Sequence, residues 1–314
     1  MFDSVYGNER LIKHLKNTVS TGNIGHCYLF HGEKGLGKRT VAKEFAMAIM
    51  CQAPDRPCRR CSDCVRIMRE DHPDVHFVQH TKAVFSVDDI RDGLNREIVN
   101  RPISGSRRIF IIDDAELLNT QAQNAMLKTI EEPPEYATIM LLSDNRDALL
   151  PTVLSRCVEL SLEPLRDSQV KRALRGEDAQ LKEAAVRHGG GNIGRAKRYL
   201  EDEAYREWVD TLGKILRALP DSDIVQLRRA AASIGTDKDR LIGMLSQMQR
   251  WFSGLMKTKA LGEGPDIGCA AEYSYEDFPR IFAAIENFST RMKVNVNAEL
   301  SLLLLLQEAR PARN

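Results

Sequence analysis

Four groups of side chains in this 314-residue chain have types and spacing suited to chemistry. The first is Gly32-Glu33-Lys34-Gly35-Leu36-Gly37-Lys38, followed by Arg39 and Thr40. Glycines let a backbone turn tightly and aim N–H groups at phosphate oxygens. A helix opening behind them adds its positive end, and Lys38 supplies a point charge for terminal phosphates. The pattern G-x-x-x-x-G-K-[ST] holds through Lys38 and breaks at Arg39, where a hydroxyl would ligate magnesium. Arginine has no lone pair for a cation. The hydroxyl of Thr40, one residue on, points about 100° away on a helix. The loop therefore points to ATP or ADP with Mg2+, while position 39 argues against metal-dependent hydrolysis. The plainer alternative is a strand–helix turn that contains glycine.

The second group follows the apolar run Ile109–Ile112. Asp113 at the carboxyl end of such a strand suits a metal-ligating carboxylate. Asp114 stands where a hydrolase would place a glutamate to polarise water, and its side chain is one methylene short. The alternative is two solvated acids capping the next helix. The third group is Cys51-x6-Cys58-x2-Cys61-x2-Cys64. Four thiolates suit a tetrahedral zinc with no open position, hence a structural Zn2+. A redox pair or an iron–sulfur cluster are the competing readings. The fourth is Ser155-Arg156-Cys157, in which a lone arginine is ordinarily a surface residue and Cys157 a small core residue.

These groups need a scaffold. Short apolar runs at Tyr28–Phe30, Val75–Val78, Ile109–Ile112, Thr138–Leu142 and Val158–Leu160 alternate with helical stretches, which predicts a parallel α/β sheet. A helical lead-in carries Leu11, Ile12, Leu15 and Val19 on one face, and a helix from Lys38 carries Val41, Phe45 and Ile49. After Pro164 the strand signals stop. Residues 165–205 read as a small helical unit broken at His188-Gly189-Gly190-Gly191-Asn192. Longer helices follow, with stripes at Val209, Leu212, Leu216 and Leu219, and at Leu241, Leu245, Met248 and Phe252. The run Leu302–Leu306 predicts a helix at the centre of a helical core or packed against other chains.

The charges nearly cancel, 45 basic against 44 acidic, so no global field points to nucleic acid or membrane. No basic-then-apolar leader is present and no apolar run is long enough to span a bilayer. A cytoplasmic protein is expected, with no membrane partner. Arg166, Lys171, Arg172 and Arg175, and separately Arg195, Lys197 and Arg198, are either basic faces for phosphates or solvated helix surface.

Taken together, the chain resembles the AAA+ subunits of the bacterial replicative clamp loader, over residues 1–160. The resemblance rests on His26-Cys27-Tyr28-Leu29-Phe30, the loop to Lys38, the four-cysteine module, Ile112-Asp113-Asp114-Ala115-Glu116, the segment Asn124 to Pro134, and Ser155-Arg156-Cys157. It implies an α/β P-loop AAA+ domain with a five-stranded parallel sheet (1–163, holding the module at 51–64), a small helical lid (164–205) and an all-α collar (206–314). It implies a five-subunit ring with gamma/tau and delta subunits, a sliding clamp as partner, and primed DNA met by the assembled complex in a bacterial replisome. Arg156 would be an arginine finger acting in trans. Val5 and Tyr6 would pack against adenine, and Arg195 would sense nucleotide. By the same resemblance, the alterations at Arg39 and Asp114 together with the retained Arg156 fit a subunit that lends a finger without firing. The alternatives are an ATP-hydrolysing motor subunit and a zinc-bearing adaptor outside replication.

Overall fold

The structure is a computed structural model; it describes residues 2, 4–80, 84–175, 178–264, 266–292 and 297–312. The chain divides into two compact units, Met1–Glu201 and Asp202–Asn314. In the first unit, α1 (Glu9–Thr21) precedes β1 (Cys27–His31), and the glycine loop leads into α2 (Lys38–Met50). Then come α3 (Ser62–Arg69), β2 (Val75–Val78), α4 (Val87–Ile90), β3 (Arg108–Ile112), α5 (Thr120–Glu131), β4 (Ala137–Ser143), α6 (Pro151–Leu154) and β5 (Val158–Ser161). Three helices end the unit: α7 (Asp167–Ala173), α8 (Ala179–Gly189) and α9 (Ile193–Glu201).

The five strands form one sheet in the order β2-β3-β4-β1-β5, and every pair is parallel. This is the expected α/β sheet, and each apolar run named from the sequence is one of its strands. Parallel strands are buried on both faces, which is why these runs are continuously apolar rather than alternating; every residue of β3 and β4 is buried. One face packs α1 and α2 through Leu15, Val41, Phe45 and Ile49 against Tyr28, Phe30 and Ile111. The other packs Met126 and Ile130 of α5 against Phe110, Ile112 and Leu141. The carboxyl ends of β1, β3 and β4 therefore share one edge, and they carry the glycine loop, Asp113 and Asp144.

The second unit holds α10 (Glu203–Ala218), α11 (Ile224–Ile234), α12 (Lys238–Leu261), α13 (Ile267–Ala271), α14 (Asp277–Arg291) and α15 (Ala298–Glu308). Leu212, Leu216 and Leu219 of the expected stripe are buried in its core, as are Leu241, Leu245, Met248 and Phe252. The leucine run lies on α15, with Leu302, Leu305 and Leu306 in the core and Leu304 40% exposed. The helix is apolar on more than its core-facing side. Among the described residues no helix is long and apolar enough to cross a membrane.

Candidate functional site

The glycine loop crosses from β1 to α2 with Gly32, Gly35 and Gly37 at φ 148°, 91° and 96°. Lys38, the first residue of α2, is 7% exposed. Its ammonium donates to the Gly32 and Glu33 carbonyls at 2.7 and 3.2 Å and to the Asp144 carboxylate after β4. The charge expected for phosphates is thus spent inside the loop. Asp144 lies beside Asp114 and Glu116, with ligand oxygens all within 4.8 Å of one another. The Asp144 N–H donates to Glu116 at 2.9 Å.

Arg39 reaches sideways along the sheet edge. One nitrogen donates to Asp113 at 2.7 Å and another to Glu70, at the end of α3, at 2.5 Å. Phe77 of β2 lies under the guanidinium at 5.1 Å from the ring centroid. The hydrogen bond from Arg39 is the main reason the Glu70 carboxyl is held below its usual range, and Lys43 adds to it. Asp113, expected as a metal ligand, faces the chain's own cation. The Asp114 N–H donates to the Asp113 carboxylate at 3.1 Å, and Asp114 takes a left-handed φ of 52°. Thr40 is exposed.

Residues 189–195, from the end of α8 to the first turn of α9, fold over the loop. Asn192 donates to the Lys34 carbonyl at 2.7 Å, and the Gly194 N–H to the Gly35 carbonyl at 2.9 Å. A Cβ on Gly194 would stand 2.7 Å from the Gly35 Cα, and one on Gly35 would stand 2.5 Å from the Asn192 Oδ1. Only glycine permits this approach at either position. Arg195 donates to Glu33 at 2.6 Å and to the Gly189 carbonyl at 2.8 Å. Val5 and Tyr6 line a cavity of about 600 Å3 with Gly7, Ile12, Lys16 and Arg172. None of Gly32–Lys38 lines it. The groups that a magnesium-bound triphosphate would meet at this edge are paired within the chain. Lys38 is bound to the loop's own oxygens, a guanidinium faces Asp113, and residues 192–195 cover the turn.

The four cysteines do converge. Cys51, buried at the end of α2, and Cys58, Cys61 and Cys64 around the start of α3 bring their sulfurs within 4.8 Å of one another. The Cys51 and Cys61 sulfurs are 3.9 Å apart, close to the roughly 3.8 Å edge of a tetrahedron with zinc–sulfur bonds of about 2.3 Å. Backbone N–H groups of Cys58, Cys61 and Cys64 point at the sulfurs of Cys51, Cys58 and Cys61 at 3.4–3.5 Å. Such bonds favour thiolate. The backbone N–H groups of Arg60 and Cys61 bring Cys58 down to about 6, whereas burial raises Cys61 and Cys64. This donor set fits a tetrahedral metal with all four positions filled. Arg59 ties the module to α2 through buried Glu44 at 2.7 Å.

Arg156 follows α6 and is exposed. It pairs with Glu131 at the end of α5 at 2.6 Å and donates to the Thr152 carbonyl at 2.8 Å. In each of the two basic clusters one residue is paired with an acid: Lys171 with Glu183 at 2.7 Å, and Arg195 with Glu33. The sequence reading missed Glu33, Glu70, Asp144 and Asn192. Asp144 had a usable signal, a polar residue just past an apolar strand. Asn192 lay in the recognised turn, but nothing local gave its target.

The model of the family described as "DNA polymerase III, delta subunit" matches residues 7–166. The delta' subunit of Pseudomonas aeruginosa DNA polymerase III is 34% identical over 191 residues, 58% of this chain and 57% of that one. The delta' subunit of Bacillus subtilis is 31% identical over 170 residues, 54% and 51%. The tau subunit of Escherichia coli is 30% identical over 251 residues, 79% of this chain and 38% of that one. The chain thus spans from over a third to somewhat more than half the length of these relatives. A gamma subunit-related protein from Thermotoga maritima shares the fold, with a TM-score of 0.52 at 17% identity over 94% of this chain and 99% of that one. With an AAA+ fold and a family match over half its length, the chain belongs to the DNA polymerase III delta-subunit family of clamp-loader proteins.

Proposed function

We propose that the chain is the delta-prime-type subunit of a replicative clamp loader, a stator that lends Arg156 to a neighbour's nucleotide and does not itself hydrolyse ATP. The observation that carries this reading is the self-occupied loop: Lys38 on Gly32, Glu33 and Asp144, Arg39 on Asp113, and Asn192–Arg195 closed over Gly35. A motor must exchange phosphate and magnesium at these positions in every cycle. Here each exchange would first break an internal ion pair or a glycine–glycine contact.

Arg156 stands outside that edge on an exposed turn. In trans it stabilises charge on a transferring phosphoryl group, a contribution of roughly 10³–10⁵ in rate in related systems. Engagement exchanges Glu131 for phosphate. The four cysteines hold structural Zn2+, residues 164–205 act as a lid clamped on the loop, and residues 206–314 act as the collar. The partners are gamma/tau and delta subunits in a five-membered ring, the sliding clamp, and primed DNA met through phosphates by the whole assembly. A bacterial cytoplasmic location follows from that role.

Two measurements test this. The purified chain with MgATP should show no turnover above background. Arg156→Ala reconstituted with its partners should assemble and lose most of the clamp-stimulated ATPase; unchanged turnover would overturn the finger. Hydrolysis by the isolated chain would instead favour a motor, the reading supported by the intact pattern from Gly32 to Lys38.

A further inference from the structure

Two thiols have no part in the phosphate loop or the four-cysteine cluster. Cys27 opens β1 and is 2% exposed; Cys157 directly precedes β5 and is half-buried. Tyr28 and Val158 are register partners on these parallel strands. Cys27 and Cys157, each one residue earlier, therefore stand side by side at the starts of adjacent strands. Adjacent strands run about 4.8 Å apart, inside the roughly 4.4–6.8 Å between Cα atoms that a disulfide requires. The two sulfurs are 2.9 Å apart. The strand register and the sulfur separation thus both place the pair within reach of a disulfide.

We propose that Cys27 and Cys157 form an oxidant-responsive dithiol, converted by a hydroperoxide into a reversible disulfide that joins edge strand β5 to β1. Cys157 is the thiol that solvent can reach. Its thiolate attacks one peroxide oxygen; an S–O bond forms, the O–O bond breaks, and the departing oxygen leaves as water or alcohol with the thiol's proton. The Cys27 sulfur then attacks the Cys157 sulfenic sulfur. The S–S bond forms, the S–OH bond breaks, and hydroxide leaves as water with the Cys27 proton. The two sulfurs together lose two electrons and the peroxide gains them. The hydrogen bond with Cys157, with burial, holds the Cys27 thiol well above its ordinary range. The enforced contact is what lets the second step compete with further oxidation of Cys157.

The bond forms next to Arg156. If that residue serves a neighbour as proposed above, oxidation fixes the chain beside it, but the disulfide does not depend on that reading. The test uses the full-length, zinc-loaded chain, treated with hydrogen peroxide and mapped by mass spectrometry without reduction. Peptides containing Cys27 and Cys157 should appear joined, lighter by two hydrogen atoms, and should separate again with dithiothreitol. Cys27→Ala should leave Cys157 as a sulfenic acid that dimedone traps. The proposal is overturned if Cys157 proceeds to sulfinic acid while Cys27 stays alkylatable. It is equally overturned if both remain alkylatable while the Cys51–Cys64 group oxidises. Should Cys27→Ala fail to fold, the mapping of the unsubstituted chain decides alone.

Discussion

A guanidinium at position 39 does two things a hydroxyl cannot: it donates to two carboxylates at once, and it stacks on an aromatic face. Arg39 does both, bridging Asp113 and Glu70 over Phe77. The pair is partly exposed, so its worth is within about 1 kcal/mol. Arg39→Ser should cost no more than that at neutral pH in denaturant unfolding. Its acid sensitivity is the sharper readout. The folded Glu70 carboxyl is held low, chiefly by the Arg39 hydrogen bond, so its contribution is present above the ordinary glutamate range and is lost as pH falls through the depressed value. Arg39→Ser should shrink that loss. Asp74 makes the same argument deeper in the fold. It is fully buried, which alone would raise it, but the N–H groups of Ile103, Ser104 and Gly105, at 2.7–3.0 Å, outweigh burial and lower it. Asp74→Asn keeps the shape but removes the charge from three donors. It should cost roughly 2 kcal/mol at pH 7, with the difference from the parent narrowing as pH falls below the ordinary aspartate range.

At the scale of elements, the cysteine module and residues 189–195 are each held by a few strong contacts. Between Met50 and Ser62 the chain has no regular secondary structure, and Arg59 takes a left-handed φ of 59°. Metal binding of the order of 10–16 kcal/mol apparent would supply the stability this segment lacks. Chelation should raise hydrogen exchange throughout residues 51–69 and leave β3 and β4 protected; no change on chelation would remove the metal from the account. The loop over Gly35 depends on close backbone approach. Gly194→Ala should force it open, seen as faster exchange at residues 189–195 and at Glu33–Gly35. Unchanged protection there would mean that the approach is not maintained in solution. The sequence made these elements visible in outline. Glycine clusters announced two turns and cysteine spacing announced a four-thiol cluster, but neither announced that one turn closes on the other.

At the scale of the molecule, the two units have separate apolar cores. Among the described residues, the second is built from side chains between Leu212 and Ala309, around Phe252, Tyr273, Phe278 and Leu306. A fragment spanning 202–314 should therefore be helical by circular dichroism and unfold cooperatively, since its core owes nothing to the sheet. Non-cooperative unfolding would mean that it needs the first unit or a partner. The exposed Leu300 and Leu304 on α15, 56% and 40%, with Ile224 and Val225 on α11, extend the apolar character of this unit beyond its core.

The parallel sheet, its five strands and the helices around Leu15, Phe45 and Leu216 were legible because burial on a fixed geometry writes a periodic pattern into the chain. The convergence of Cys51 with Cys58, Cys61 and Cys64 was legible because they are close in sequence. What Lys38, Arg39 and Arg195 face was not. Their partners, Asp144, Asp113 with Glu70, and Glu33, lie 106, 74, 31 and 162 residues away in the chain. A long cationic side chain takes whichever oxygen the fold brings near it. Sequence alone determined that a phosphate-loop pattern exists and that position 39 breaks it. Only the tertiary structure decided that the loop's charges are satisfied by distant parts of the same chain, because strand order and the turn at Gly189–Asn192 bring those groups to one sheet edge.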